Sequence, residues 1–316
     1  MPDHSVLVSD PTGAPNVAEV DKSLNEVSSP NDTDLVGRRR TVEQKEVKRD
    51  YSNVKQVVVD HYRNLRSKQT HAHVLKMHEK FKTRERRPLK IWEALEIMST
   101  IVDTSDPDIS LPNLEHLYQT AEGLREEGAE RWMILAGLMH DLGKVMFFWD
   151  VEEDGTSIGT QWSVTGDSFV TGCAFPEGNG CIFPEFNQLN PDWNDSRYNT
   201  KYGVYEPNCG MNKTYCSWGH DEYLYQVLVE EENAKLHTLP PEALYIIRFH
   251  SCYPWHSHSS YEYLEDDFDK QMKPIVKQFQ KHDLYTKKDV PTDVPSLEEY
   301  YRELVAEFFG DNTLQF

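Results

Sequence analysis

The chain has 316 residues, 38% of them hydrophobic, which is enough to bury a sizeable core, and 53 acidic against 33 basic side chains give a formal charge of -20. That balance excludes a nucleic-acid surface, because phosphate binding needs a basic stripe. No run of 18 apolar residues is available to cross a bilayer, the first residues lack a secretion signal, and five cysteines without a C-x-x-C pair read as free thiols, so a cytoplasmic protein without a membrane partner is expected.

Residues 1–46 are rich in Pro, Ser, Asp, Asn and Val without apolar periodicity, and are expected to form a disordered tail ahead of a single domain over 47–316. The run Arg38-Arg39-Arg40 within the tail reads as solvated charge. Helical periodicity then appears over Val54–Arg66, Thr70–Lys82 and Lys90–Ile101. In the next segment Leu114, Leu117, Ala121 and Leu124 form an apolar stripe with His116 beside it.

The stretch from Glu130 to Met146 is apolar on nearly every face and predicts a central buried helix, yet His140, Asp141 and Lys144 stand near its end. Burying a carboxylate and an ammonium is costly unless they are paired or bound to a cation. Adjacent His and Asp on a helix diverge by about 100 degrees, so the imidazole can face one ion while the carboxylate turns to a second or bridges both. Lys144, one turn on, places a positive charge over the same site.

Between Thr156 and Phe183 turn residues mix with Thr, Val and Phe, predicting a loop-rich insertion with one hairpin. Ser217 reads as the N-cap of a helix whose first turn projects His220. A helix from Pro241 ends at His250 and Ser251, before Tyr253-Pro254. Ile275, Phe279 and Asp283 fall at i, i+4 and i+8, putting a carboxylate on an apolar helix face, where it ligates a cation or pairs with a base such as Lys287.

His116, His140, Asp141, His220, His250 and Asp283 together offer more ligands than one ion takes. Two ions sharing a bridging carboxylate fit the set, and nitrogen and oxygen donors without thiolate suit iron, manganese or zinc.

The order H…HD…D, with two further histidines before the last Asp, resembles the HD-domain superfamily of helical metalloproteins. The words DTSDPD (103–108), QTAEG (119–123), GLMHDLGK (137–144), SWGHDEYLYQ (217–226), RFHSCYPWH (248–256) and HDLYTK (282–287) resemble more narrowly the myo-inositol oxygenase family, in order from about Arg49 to the C-terminus. The resemblance implies an all-α, HD-domain-like helical bundle with a five-helix core. It implies two iron ions, Fe(II)/Fe(III), held by the six residues above, with dioxygen as co-substrate and myo-inositol cleaved to D-glucuronate and water. Catalytic roles fall on Lys144 and Asp141, and substrate contacts on Arg49, Asp103, Ser105, Lys144, Gly166, Asp167, His250, Ser251 and Lys287. Asp, Ser, Lys and backbone Gly are the groups expected to read a polyol's hydroxyls. Thr104 departs from the usual Glu of relatives, the 150–165 loop is enlarged, and the N-terminal tail is longer than in the animal enzymes.

Two other readings use the same residues. A metal-dependent HD phosphohydrolase also needs two metals and a lysine, but requires more basic groups than Arg49, Arg248, Lys144 and Lys287. A non-catalytic metal-binding sensor would bind a small molecule without turnover. His71, His73 and His256-Ser257-His258 read as ordinary histidines, and Tyr253-Pro254-Trp255 with Tyr261 to Tyr263 as packing. A monomer is expected.

Overall fold

The computed structural model describes residues 51, 54–106, 111–176, 180–285 and 292–316, the side chains of 284 and 285 excepted. The expected tail (1–46), Arg49, Lys287 and residues 107–108 of the DTSDPD word lie outside the described residues.

The three early helices form where periodicity puts them: α1 Gln56–Lys68, α2 His71–Lys82 and α3 Ile91–Met98. Thr70 caps α2 by accepting a hydrogen bond from the His73 amide. The short strand β1, Pro88–Leu89, lies between α2 and α3, and α4 Asn113–Glu127 and α5 Arg131–Met139 follow α3. Gly137 lets α5 lie close on α4: a Cβ there would stand 3.0 Å from the Ala121 Cα.

The single helix expected from Glu130 to Met146 is not continuous. It stops at Met139, and a 3-10 helix runs from Leu142 to Trp149. The cause is tertiary, since a Cβ on Gly143 would meet the His220 carbonyl at 1.9 Å. Only glycine admits that approach, which sets His140 and Asp141 at a bend between the two helical pieces.

The expected local hairpin is also corrected. Strand β2, Val170–Thr171, pairs antiparallel with β3, Tyr215–Cys216, across a long loop-rich excursion, with Val170 opposite Cys216. After β3 come α6 His220–Val229, α7 Glu231–Ala234, α8 Pro241–Phe249, α9 Tyr253–His256, α10 Asp267–Tyr285, α11 Val294–Phe309 and β4 Leu314–Gln315. Strand β4 pairs antiparallel with β1, tying the C-terminus to the start of α3. The α6 cap is Gly219, not Ser217, whose hydroxyl instead accepts from the Phe169 amide.

The described fold is therefore all-α with small strand insertions. Its core runs from α3 through α4 and α5 to α6, α8 and α10, with Leu117, Leu135, Leu138, Leu224, Ile246 and Phe279 fully buried. Among the described residues no helix is long and apolar enough to cross a membrane.

Candidate metal centre

Five helices bring the six expected ligands together, and all six are buried. His116 comes from the second turn of α4, His140 is the C-cap of α5 with Asp141 next, His220 opens α6, His250 caps the end of α8, and Asp283 lies in the last turn of α10. On α10 the fully buried partners of Asp283 are Val276 and Phe279, while Ile275 is only partly covered. The inward stripe is thus i, i+3, i+7 rather than i, i+4, i+8.

Backbone carbonyls fix three of the imidazoles. His140 Nδ1 donates to Gly137 O (2.9 Å), His220 Nδ1 to Val164 O (2.6 Å) and His250 Nδ1 to Ile247 O (2.9 Å). A carbonyl only accepts, so in each neutral ring the proton sits on Nδ1 and the Nε2 lone pair points inward. Those lone pairs crowd one another: His220 Nε2 lies 3.0 Å from His250 Nε2, and His140 Nε2 3.2 Å from His116 Nε2. Two such lone pairs repel unless a cation or a proton stands between them.

The carboxylates divide the donors into two groups. Asp283 Oδ1 lies 2.9 Å from His116 Nε2 and 3.5 Å from His140 Nε2. Asp141 turns Oδ1 to His220 (2.9 Å) and His250 (3.8 Å), and Oδ2 to His116 and His140 (3.8 Å each). Two ion-binding sets result, His116–His140–Asp283 and His140–Asp141–His250, the donor atoms of each within 4.8 Å of one another. His220 adjoins the second through Asp141. The two sets have His140 in common and could each hold a metal ion, and Asp141 turns one oxygen toward each of them.

Lys144 is buried against this centre with all three N–H bonds engaged: Asp103 Oδ2 (2.8 Å), Asn113 Oδ1 (2.7 Å) and Asp141 Oδ2 (2.8 Å). Burial works against its charge, but Asp103 and Asp141 outweigh that and hold its pKa above the lysine range. Burial likewise opposes the charge on Asp103, yet Lys144 and the Ser105 hydroxyl keep that carboxyl well below its usual range. Ser105 donates to Asp103 Oδ1 from both N (2.8 Å) and Oγ (2.6 Å). The 150–165 loop reaches the same place, since Gln161 Oε1 accepts from Thr104 N and Oγ1 at 3.1 Å each.

Asp167 is fully buried in a pair with Arg66, whose Nη2 donates to both carboxylate oxygens and to Ile182 O at 3.1 Å. Gly166, at φ +101, turns the chain beside it. Ser251 accepts from the Ser168 amide at 2.8 Å. The described members of the expected substrate set thus lie around the metal centre or on the turn joined to it.

Asn113, Arg66 and Glu222 were not singled out from sequence. Asn113 Nδ2 donates to Asp141 Oδ2 (3.0 Å) while its oxygen takes Lys144. An Asn after Pro at a helix start looks like a cap, and nothing local marks it as inward-facing. Arg248 pairs with Glu222 (2.8 Å), both side chains 3% exposed, clamping α8 to α6. The ordinary histidines behave as expected: His71 Nδ1 meets Thr171 Oγ1, His73 Nε2 meets Ser163 Oγ (3.1 Å each), and His256 Nε2 donates to His250 O (3.0 Å). Trp255 is fully buried and donates to Glu265 at 2.7 Å, a packing role.

The family model for myo-inositol oxygenase matches residues 55–316. Inositol oxygenase of Dictyostelium discoideum is 41% identical over 265 residues, covering 83% of this chain and 87% of that protein. The probable inositol oxygenase of Oryza sativa subsp. japonica is 40% identical over 261 residues, covering 82% and 80%. Inositol oxygenase of Homo sapiens is 41% identical over 249 residues, covering 78% and 82%.

Proposed function

The chain belongs to the myo-inositol oxygenase family, and on that premise we propose that it opens the ring of myo-inositol with dioxygen, giving D-glucuronate and water. The observation that carries this reading is the pair of buried donor sets, with Asp141 facing both and Lys144 beside it. The residues holding an Fe(II)/Fe(III) pair are His116, His140, Asp141, His220, His250 and Asp283. When bound, the iron pair supplies dioxygen binding and the removal of four electrons from the substrate.

The protein's own groups do the rest. Lys144, held protonated between Asp103 and Asp141 with its three N–H bonds engaged, acts as a fixed positive charge beside the Asp141 carboxylate rather than as a base. Asp103, Ser105, Gly166, Asp167, His250 and Ser251, with Arg49 and Lys287, orient the hydroxyls. Burial of Ser105, Asp167, His250 and Ser251 keeps competing water away. The five ligand-bearing helices α4, α5, α6, α8 and α10 form the HD-type five-helix core of this reading. The protein acts as a cytoplasmic monomer, a location supported by its five free thiols.

Two observations disfavour phosphoryl chemistry at the same centre. Arg248 is bound in a buried pair with Glu222, and Lys144 already serves two carboxylates. Few cations among the described residues are left to receive a phosphate. Incubating iron-loaded protein in air with myo-inositol, or separately with a phosphate ester, tests the choice by product analysis. Glucuronate from the first and no phosphate from the second is expected; the reverse pattern would establish the phosphohydrolase, and inositol binding without any product would establish a sensor.

A further inference from the structure

We propose that His61 is a substrate-recognition residue of this centre, its Nδ1 accepting a hydrogen bond from a polyol hydroxyl. The proposal rests on the inositol-oxidising reading above.

Helix α1 carries His61 on its buried face, 4% exposed. Its Nε2 lies 3.1 Å from the Thr165 carbonyl, so the proton sits there and Nδ1 is left a bare acceptor. That atom is buried and has no hydrogen-bond partner in the protein. An unpaired buried acceptor is destabilising, so the position calls for a donor from outside the chain.

His61 does not stand alone in this. Arg66 Nη1 on the same helix, and Thr165 Oγ1 and Ser168 Oγ on the facing turn, are also buried without partners. The turn is pinned to the metal centre at both ends: Val164 O takes His220 Nδ1 at 2.6 Å, and Ser168 N donates to Ser251 O at 2.8 Å. Gly166 allows it to close on α1, since a Cβ there would lie 2.6 Å from Leu65 Cδ1 and 3.1 Å from His61 Nε2. Unpaired donors and acceptors gathered on one helix face and one turn match a polyhydroxyl ring, in which every hydroxyl both gives and takes a hydrogen bond. Burial keeps His61 neutral against the pull of Asp103 and Asp167, preserving the acceptor.

Two variants separate recognition from mere anchoring. His61→Gln places an amide nitrogen near Nε2, retaining the tie to Thr165, but removes the Nδ1 acceptor. His61→Asn places an amide oxygen near Nδ1 and gives up the tie. Calorimetric titration with myo-inositol and steady-state kinetics are run on wild type and both variants, each verified to hold two irons. His61→Gln is expected to weaken inositol binding and raise KM about tenfold with kcat within about twofold, while His61→Asn stays within about threefold of wild type. The opposite order, or wild-type affinity in both, would overturn the proposal and leave the Nδ1 partner as water. Wild-type protein that neither binds nor oxidises inositol would overturn the functional reading itself, and this proposal with it.

Discussion

Asp283 ends a helix face that is otherwise apolar, and burial alone would drive its carboxyl to the neutral form. Burial is opposed by the imidazoles of His116 and His140 beside it, which hold it well below the usual carboxylate range. Asp283→Ala removes the carboxylate nearest His116 and His140, and metal analysis is expected to find about one ion per chain instead of two. A full complement with unchanged turnover would refute the ligand role. Asn113 acts differently, through its bonds to Asp141 and Lys144. Asn113→Ala leaves each of them one partner short, and activity is expected to fall about 10- to 100-fold, the usual scale for groups that orient metal ligands. Its kinetics, measured beside metal content, check whether the loss is in turnover or in metal retention. The sequence makes Asp283 conspicuous because a charge on an apolar stripe is a local anomaly. Asn113 stays hidden because its meaning lies in partners 28 and 31 positions away.

At the scale of elements, helices were legible where a single chain segment decides the outcome. The early helices, α4 and α8 fall where apolar spacing and the Pro241 start put them. What was not legible was decided by distant contacts. The break after Met139 depends on the His220 carbonyl meeting Gly143, β2 finds its partner in β3, and Ser217 is drawn from capping to the Phe169 amide. The clamp between α6 and α8 is of the same kind. Arg248 and Glu222 bury opposite charges that neither helix carries safely alone, so Arg248→Met is expected to cost about 3–5 kcal/mol in urea unfolding. Pairing it with Glu222→Met should recover most of the loss, because the stranded charge is then gone. A single variant with an unchanged midpoint would show that the pair contributes nothing.

For the whole molecule, acid stability reflects histidines buried neutral away from the metal centre. Burial pushes His73 down to about 4, and lowers His71, His78 and His237 as well. The unfolded chain takes up those protons near pH 6.5 while the native protein does not, so stability falls as pH drops from about 6.5 toward 4. The urea midpoint is expected to be lower at pH 5.5 than at pH 7, with a smaller drop in His73→Gln; a flat midpoint across that interval would contradict it. Asp269, whose carboxyl burial pushes up to about 6, offsets part of that fall, because the native state takes up its proton before the unfolded chain does. The fold, the buried donor sets and the family relationship converge on one claim, that this chain is a ring-cleaving oxygenase. The most direct test is an oxygen-electrode measurement on protein verified to hold two irons, with glucuronate assayed in the same vessel and no external reductant added. One dioxygen consumed per glucuronate formed, only when myo-inositol is present, is the result predicted. No inositol-dependent oxygen uptake by the fully loaded protein would contradict the account.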